Sequence, residues 1–391
     1  MALFLTFIFI FASMESLLHY VWQHRMFSAD NLRTTGGLCV EIIYCGQHNV
    51  NQGQDFLNAK IVIDGIVWVG NVELHTRSSD WNRHGHNMDP VYNTTILHVV
   101  EKADMEVFME DGRVVPQLEI GIPQDLGEKF RELARTCDYP RCHRYVRAIP
   151  SIKVHSWMDS LLVERMLERN RRVASVLDQT RGNWNHTAFV LIARTLGLGL
   201  NGDPMESWAK SLPYDELLCR LDSMPYPFLE KEFLKRAKLD DGVKGSMWRY
   251  MRIRPQSFPE VRIRQLASVF YNRQCGLNEI VACGNAVQLA DVFIRAGFSK
   301  QVSRLLVINA GCPLVFAYGF AYGLEELRNR SMRILSEIGS EDNYILRQWR
   351  ACGLDVSTAA DSQALIQLKR EYCERFRCLE CRFGFEFLSK K

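Results

Sequence analysis

Asp55 and the run Glu73-Leu74-His75 are the residues of this chain best arranged to do chemistry. Phe56 to Ile63 and Ile66 to Val72 are apolar enough to be strands. Asp64-Gly65 joins them, and Asp-Gly between two such runs is the strongest short hairpin signal. A hairpin brings Asp55 and Glu73 together at one end of a sheet. Glu73 and His75 then share a face, because side chains alternate along a strand. Clustered acids suit Mg²⁺, which takes oxygen ligands and keeps several waters. Such an ion activates water and stabilises charge on a phosphoryl group. Glu41 is a further candidate acid. His75 titrates close to working pH and is suited to positioning or deprotonating the water. The plainer alternative makes Asp55 a turn cap and Glu73 an exposed strand residue.

Three other stretches carry reactive side chains. In Ser78 to Asp89, His84, His86 and Asp89 are close enough in sequence to ligate zinc or manganese, or to contact a phosphate with Arg83. Five of the ten histidines fall between His48 and His98. Cys373, Cys378 and Cys381 form a C-x4-C-x2-C run, a spacing that suits Zn²⁺ or an iron–sulfur cluster. The nearest candidates for a fourth ligand are Cys352, or Cys142 with His143. Packing as small apolar groups is the alternative for these thiols. The segments from Trp248 to Pro255 and Phe258 to Arg264 interleave Arg249, Arg252, Arg254, Arg262 and Arg264 with aromatics. Arginine forks suit phosphates and aromatic faces stack on bases, which points to nucleic acid. Salt bridges and packing are the bland alternative.

These residues need a scaffold. Residues 15–27 read as a helix, with Leu17, Leu18, Val21 and Trp22 at helical spacing. The expected strands are Val40–Tyr44, Leu57–Ile63, Ile66–His75, Thr95–Val100, Met105–Met109 and Val114–Ile120. After Pro150 the pattern turns helical. Candidates are Trp157–Leu177, Trp184–Leu196, a helix opened by Asp203-Pro204, Glu260–Arg273, Ala286–Ala296, Leu324–Ile338, Asn343–Ala351 and Asp361–Phe376. The expected class is α+β: a mixed α/β domain over 14–150, then an all-α domain over 151–391 that carries the cysteine run.

With 391 residues, 47% hydrophobic and 24% charged, the chain has the composition of a globular protein of two or three domains. Residues 1–150 hold 13 Lys/Arg against 18 Asp/Glu, and the rest 35 against 27. That asymmetry hints at an anionic partner for the second half. Twelve scattered cysteines fit buried thiols in a reducing cytoplasm better than a disulfide framework. Residues 1–13 are apolar, but too short to span a bilayer and without the basic start of a signal peptide. They read as an extension upstream of a start at Met14, in which case no membrane association is expected. A membrane anchor is the sharper alternative. There is no Gly-rich phosphate loop: Gly197-Leu198-Gly199 lacks the third glycine.

From about Met14 to Gly384 the chain resembles a bacterial family known only as a domain of unknown function. The resemblance lies in Leu17 to Trp22, Gly70 to His75, Ser79-Asp80-Trp81 with His84 and His86, and Ile96 to Val100. It continues in Arg252 to Pro255 with Phe258-Pro259, Asp361 to Ile366, and the terminal cysteines. A looser similarity joins Asp55 and Glu73-x-His75 to the PD-(D/E)XK nuclease core, where an Asp and a Glu bind Mg²⁺ and a Lys two residues on helps activate water. This resemblance implies a restriction-endonuclease-like sheet, with Asp55 and Glu73 as metal ligands and Glu41 as an additional acid. The chain departs from the pattern at Gln54, where Pro is common, and at His75, where Lys is usual. Some nucleases of that superfamily carry a cysteine-bound iron–sulfur cluster near the C-terminus. The resulting expectation is a cytoplasmic, Mg²⁺-dependent phosphodiester hydrolase acting on nucleic acid. The competing expectations are a non-catalytic binding or scaffold protein with a structural cysteine–metal clip, and a zinc hydrolase centred on His75, His84 and His86.

Overall fold

A computed structural model describes residues 14–49, 51–136, 139–197, 199–239 and 247–389. The expected upstream extension, residues 1–13, lies outside them. The chain forms two units. One runs up to Tyr145 and resumes at Phe376; the other spans Val146 to Arg375. The expected boundary near residue 150 therefore falls slightly earlier. The stretch from Phe376, expected in the helical domain, belongs to the first unit.

The first unit opens with α1, residues 14–23. Its helical periodicity buries Leu17, Leu18, Val21 and Trp22 completely, which is why an amphipathic stretch folds here. Full burial of side chains this size stabilises by roughly 1.5–3 kcal/mol each. The sheet comprises β1 (Val40–Tyr44), β2 (Gln47–His48), β3 (Phe56–Ile63), β4 (Ile66–Arg77), β5 (Thr95–Lys102) and β6 (Gln117–Glu119). Its order is β1-β3-β4-β5-β6, with β2 also paired to β3. β1, β3 and β4 are antiparallel neighbours, whereas β5 runs parallel to β4 and β6 parallel to β5. The β3–β4 hairpin turns at Asp64 (φ 50°) and Gly65 (φ 81°), both left-handed as a type I′ turn demands.

One face of the sheet carries Val72, Leu74, Leu97 and Val99. These pack with α1, with Leu126, Phe130 and Leu133 of α3 (Gln124–Arg135), and with Phe387 and Leu388 near the C-terminus. The parallel β4–β5 pair requires a crossover, since no hairpin can join parallel strands. That crossover holds α2 (Asp80–Arg83) and two 3₁₀ turns, His86–Met88 and Pro90–Thr94. A second small core lies with it: Trp81, Tyr92, Val107, Met109 and Val115. The strand expected at Met105–Met109 reduces to a single bridge, Phe108 to Val114, across the Asp111-Gly112 turn.

The second unit is helical. Its longest helix, Ser151–Gln179, precedes Trp184–Leu196, which ends at Gly197. Asp203 does not cap the next helix: Asn201 stands at that position, and Asp203 bonds Arg194 instead. The run Lys300–Ala321 is long and apolar enough to cross a membrane, but two-thirds of its most apolar stretch is buried inside the protein. A π-turn, Val307–Gly311, interrupts it. The helix expected at Asp361 starts earlier, at Ala359, because Thr358 and Asp361 form a capping box. It becomes a second π-turn at Leu368–Cys373.

Candidate functional site

The two carboxylates meet as the hairpin requires. Phe56 pairs with Val72, so Asp55 and Glu73 come level at the end of β3. The Asp55 main-chain N–H donates to Glu73 Oε2 at 3.1 Å, and the Leu74 N–H donates to Asp55 Oδ2 at 2.9 Å. Each acid is thus fixed by the other's strand. Gln54 is buried beside them and donates to the Val91 carbonyl at 2.7 Å, tying this corner to the crossover.

Parallel pairing sets Glu73 level with His98. Glu73, His75 and His98 therefore share the sheet face under the crossover. His75 Nδ1 lies 2.8 Å from His98 Nε2, and His75 Nε2 lies 3.0 Å from His84 Nδ1. His86 Nε2 is 3.1 Å from Glu73 Oε1 but outside hydrogen-bonding geometry, so this buried nitrogen has no hydrogen-bond partner. His75 Nε2 is 3.9 Å from the same oxygen. One nitrogen from each of His75, His84 and His86 falls within 4.8 Å of the others. Tyr92 stacks on His86 at 3.8 Å between ring centroids, and Trp81 stands against His86 and His98. Glu73, His75, His86 and His98 are buried; His84 is exposed and opens the site to solvent.

Burial dominates the electrostatics. Desolvation, with the neighbouring Asp55 charge, lifts the Glu73 carboxyl to about 9. Desolvation and the surrounding imidazoles push His75 down to about 2, and burial with His86 takes His98 to about 3. Burial also lowers His86. The interior rings are thus neutral at ordinary pH and keep a lone pair for a cation. His19, on α1, behaves oppositely. Burial pulls it down, but its contact with Asp55, 3.4 Å from Nε2 to Oδ2, outweighs that and raises it. Glu15, one turn earlier, is raised by burial.

The donor set can be tested against an ion. Ligands at about 2.0–2.1 Å around a tetrahedral zinc stand roughly 3.3 Å apart. The 3.0, 3.1 and 3.9 Å separations bracket that spacing. His98 supplies the outer contact that such histidines usually make: a proton on His75 Nδ1 directed at His98 leaves Nε2 free for a ligand bond.

The other expected site residues fall elsewhere. Glu41 pairs with Val62, far along β3 from Asp55, and is exposed. Asp89 caps the Pro90–Thr94 turn by accepting from the Val91 N–H at 3.0 Å. The cysteine run is divided between the units: Cys373 ends a π-turn of the second, while Cys378 and Cys381 lie in the first. Cys378 packs against the main core, and burial raises its thiol pKa. Cys142 packs there too, and His143 Nδ1 faces the Pro140 carbonyl. Cys352 is buried in the second unit. Among the described residues, these side chains form no group of three convergent ligands.

The arginine stretch is split likewise. Arg252, Arg254 and Arg262 line one pocket of about 530 Å³. Arg262 is buried, donating to Gln265 and Ser257. Arg264 pairs with Glu230 at 3.3 Å, and Arg249 is exposed, its main chain bonded to Asn201. The aromatics are occupied. Trp248 is buried with its indole N–H on the Ala237 carbonyl, and Tyr250 bonds Glu260 and packs on Phe258. Sequence reasoning missed Glu15, His19 and His98 as site residues.

An α+β protein with a buried histidine–carboxylate centre on a mixed sheet is what the fold and site define. The model of one family, described as "Protein of unknown function (DUF2851)", matches residues 15–225 and 224–344, and the chain belongs to that family. No match is found among curated proteins or among solved structures.

Proposed function

We propose that the first unit is a metal-dependent hydrolytic centre acting on phosphodiesters of nucleic acid, in a protein of the cytoplasm. The observation that carries this reading is the convergence of His75, His84 and His86 beside the Glu73 carboxyl, which would release its proton on binding a cation. Three imidazoles and one carboxylate favour zinc or manganese over the magnesium expected for two acids alone. A bound divalent cation would polarise a phosphoryl oxygen and activate water. His75, His84, His86 and Glu73 would hold it. His98 orients His75, while Trp81 and Tyr92 exclude water from the inner side. Asp55 fixes the Glu73 strand and favours the protonated form of His19 at the rim.

The order of elements supports a nuclease of PD-(D/E)XK type: a helix, three antiparallel strands, a crossover and a parallel strand. Asp55 and Glu73 lie together, as that core requires, with His75 on the face where it has its lysine. Arg252 and Arg254, both exposed, would bind phosphate, a salt-sensitive contribution. The test is hydrolysis of single- and double-stranded DNA and RNA by the full chain loaded with zinc or manganese. Cleavage should vanish on chelation and on Glu73→Ala. Undiminished cleavage by Glu73→Ala, or none from either loaded form, would overturn the reading.

A further inference from the structure

A second concentration of charge lies in the helical unit and is independent of the histidine centre. Arg165, Arg169 and Arg172 recur at spacings of four and three along Ser151–Gln179, which puts them on one helix face. Arg194, near the end of Trp184–Leu196, and Arg370, in the π-turn Leu368–Cys373, face the same space. These five arginines line a cavity of about 450 Å³, and among the described residues Glu168 is the one acid in its wall. Part of the wall is apolar: Val173, Leu191, Leu305 and Pro313. The volume falls within the usual range for small-molecule sites.

The charges do not balance. Arg172 and Arg194 share Glu206, at 2.5 and 2.7 Å, and Arg165 pairs with Glu168 at 2.9 Å. Arg169 and Arg370 have no carboxylate within 4.0 Å among the described residues. The Arg169 guanidinium is bonded to neutral acceptors only: the Ile308 carbonyl, Asn309 Oδ1 and Gln363 Oε1, each at 2.8 Å. Glu341 accepts from Gln363 at 2.6 Å, and it and Glu168 act on Arg169 through space without pairing with it. Burial and the neighbouring Arg165 bring Arg169 down to about 9. Clustered like charges, of which Arg165 is buried and Arg169 half-buried, are destabilising unless an anion joins them. Two π-turns border the cavity and supply Asn309 and Arg370, and such turns are frequent at functional sites.

We propose that this cavity binds a small phosphorylated molecule carrying at least two negative charges, either an inorganic diphosphate or a nucleoside diphosphate. Guanidinium forks match phosphate oxygens in pairs, and bonds to charged groups are the strong class. The aliphatic wall gives the ring of a nucleoside a surface to lie on.

The experiment is calorimetric titration of the full chain with pyrophosphate and, separately, with ADP. One-to-one binding that weakens as salt rises is expected. ADP binding tighter than pyrophosphate assigns the apolar wall to the nucleoside, and equal affinities assign the site to the diphosphate alone. Arg370→Ala removes an exposed side chain, so the fold is not at risk. It should weaken binding about tenfold or more, the scale of one charge-assisted hydrogen bond. Arg169→Gln should do the same, with thermal melting as the check on its fold. No binding of either ligand at low salt, or binding that Arg370→Ala leaves unchanged, overturns the proposal.

Discussion

Asp55 and Glu73 hold each other's strands: Glu73 Oε2 accepts from the Asp55 main chain, and Asp55 Oδ2 accepts from the residue after Glu73. The pairing is structural as well as chemical. Asp55→Ala strands the Leu74 N–H and should destabilise the protein by about 1–3 kcal/mol, the cost of an unsatisfied buried donor. Urea denaturation measures this; an unshifted midpoint would show that the interlock contributes nothing.

Metal content separates the ligands from their supports. The full chain should bind about one zinc or manganese, read by elemental analysis. His84→Ala should lose it with little change in the melting temperature of the metal-free protein, because His84 is exposed. His98→Phe should keep a site but weaken it roughly 10–100-fold, as loss of an orienting partner does. Full retention of metal by His84→Ala contradicts the assignment.

Cys378→Ser should leave metal content unchanged and still lower stability, since it puts a hydroxyl against the core. Metal loss that tracks this variant would instead restore the cysteine clip.

Gly70 approaches β5 so closely that a Cβ would lie 2.4 Å from Ile96 Cγ2 and 2.9 Å from the Thr94 carbonyl. Gly70→Ala must push β5 away and should cost about 1–3 kcal/mol. It should also weaken metal binding, because His98 rides on that strand. Calorimetry on the purified variant checks both.

Acid should weaken the helical unit through Glu206. Burial raises this carboxyl, but Lys210, Arg172 and Arg194 more than offset that and hold it at about 2. A depressed folded-state pKa means stability present above the ordinary 4.5 and lost as pH falls toward 2. Glu206→Gln should flatten that part of the stability-against-pH curve. An unchanged slope would show that the cluster does not stabilise the fold.

The antiparallel part of the sheet was legible because its signals are local. Val40–Tyr44 and the Asp64-Gly65 hairpin need only alternation and turn chemistry, and they fixed Asp55 beside Glu73. The helix carrying His19 was legible as a helix, but not its contact with Asp55, which depends on tertiary packing. His98 was hidden for a similar reason: its place beside Glu73 comes from a parallel pairing across a crossover that no local pattern specifies. The Cys312–Ala321 part of Lys300–Ala321 escaped notice because it is apolar on all sides, so no period marks it. The spacing of the cysteines suggested a cluster, yet the chain passes from one unit to the other within it.

The unit that carries the histidine cluster is also a discontinuous one, and this governs how it can be handled. Phe387 and Leu388 lie in the same core as Leu17 and Trp22, although the whole helical unit intervenes in the chain. A fragment cut at residue 150 would lack part of its own interior. A working excision must instead splice Tyr145 to Phe376 through a short linker. In the intact protein, the helical unit acts as the long loop whose closure must be paid in entropy before that core is complete.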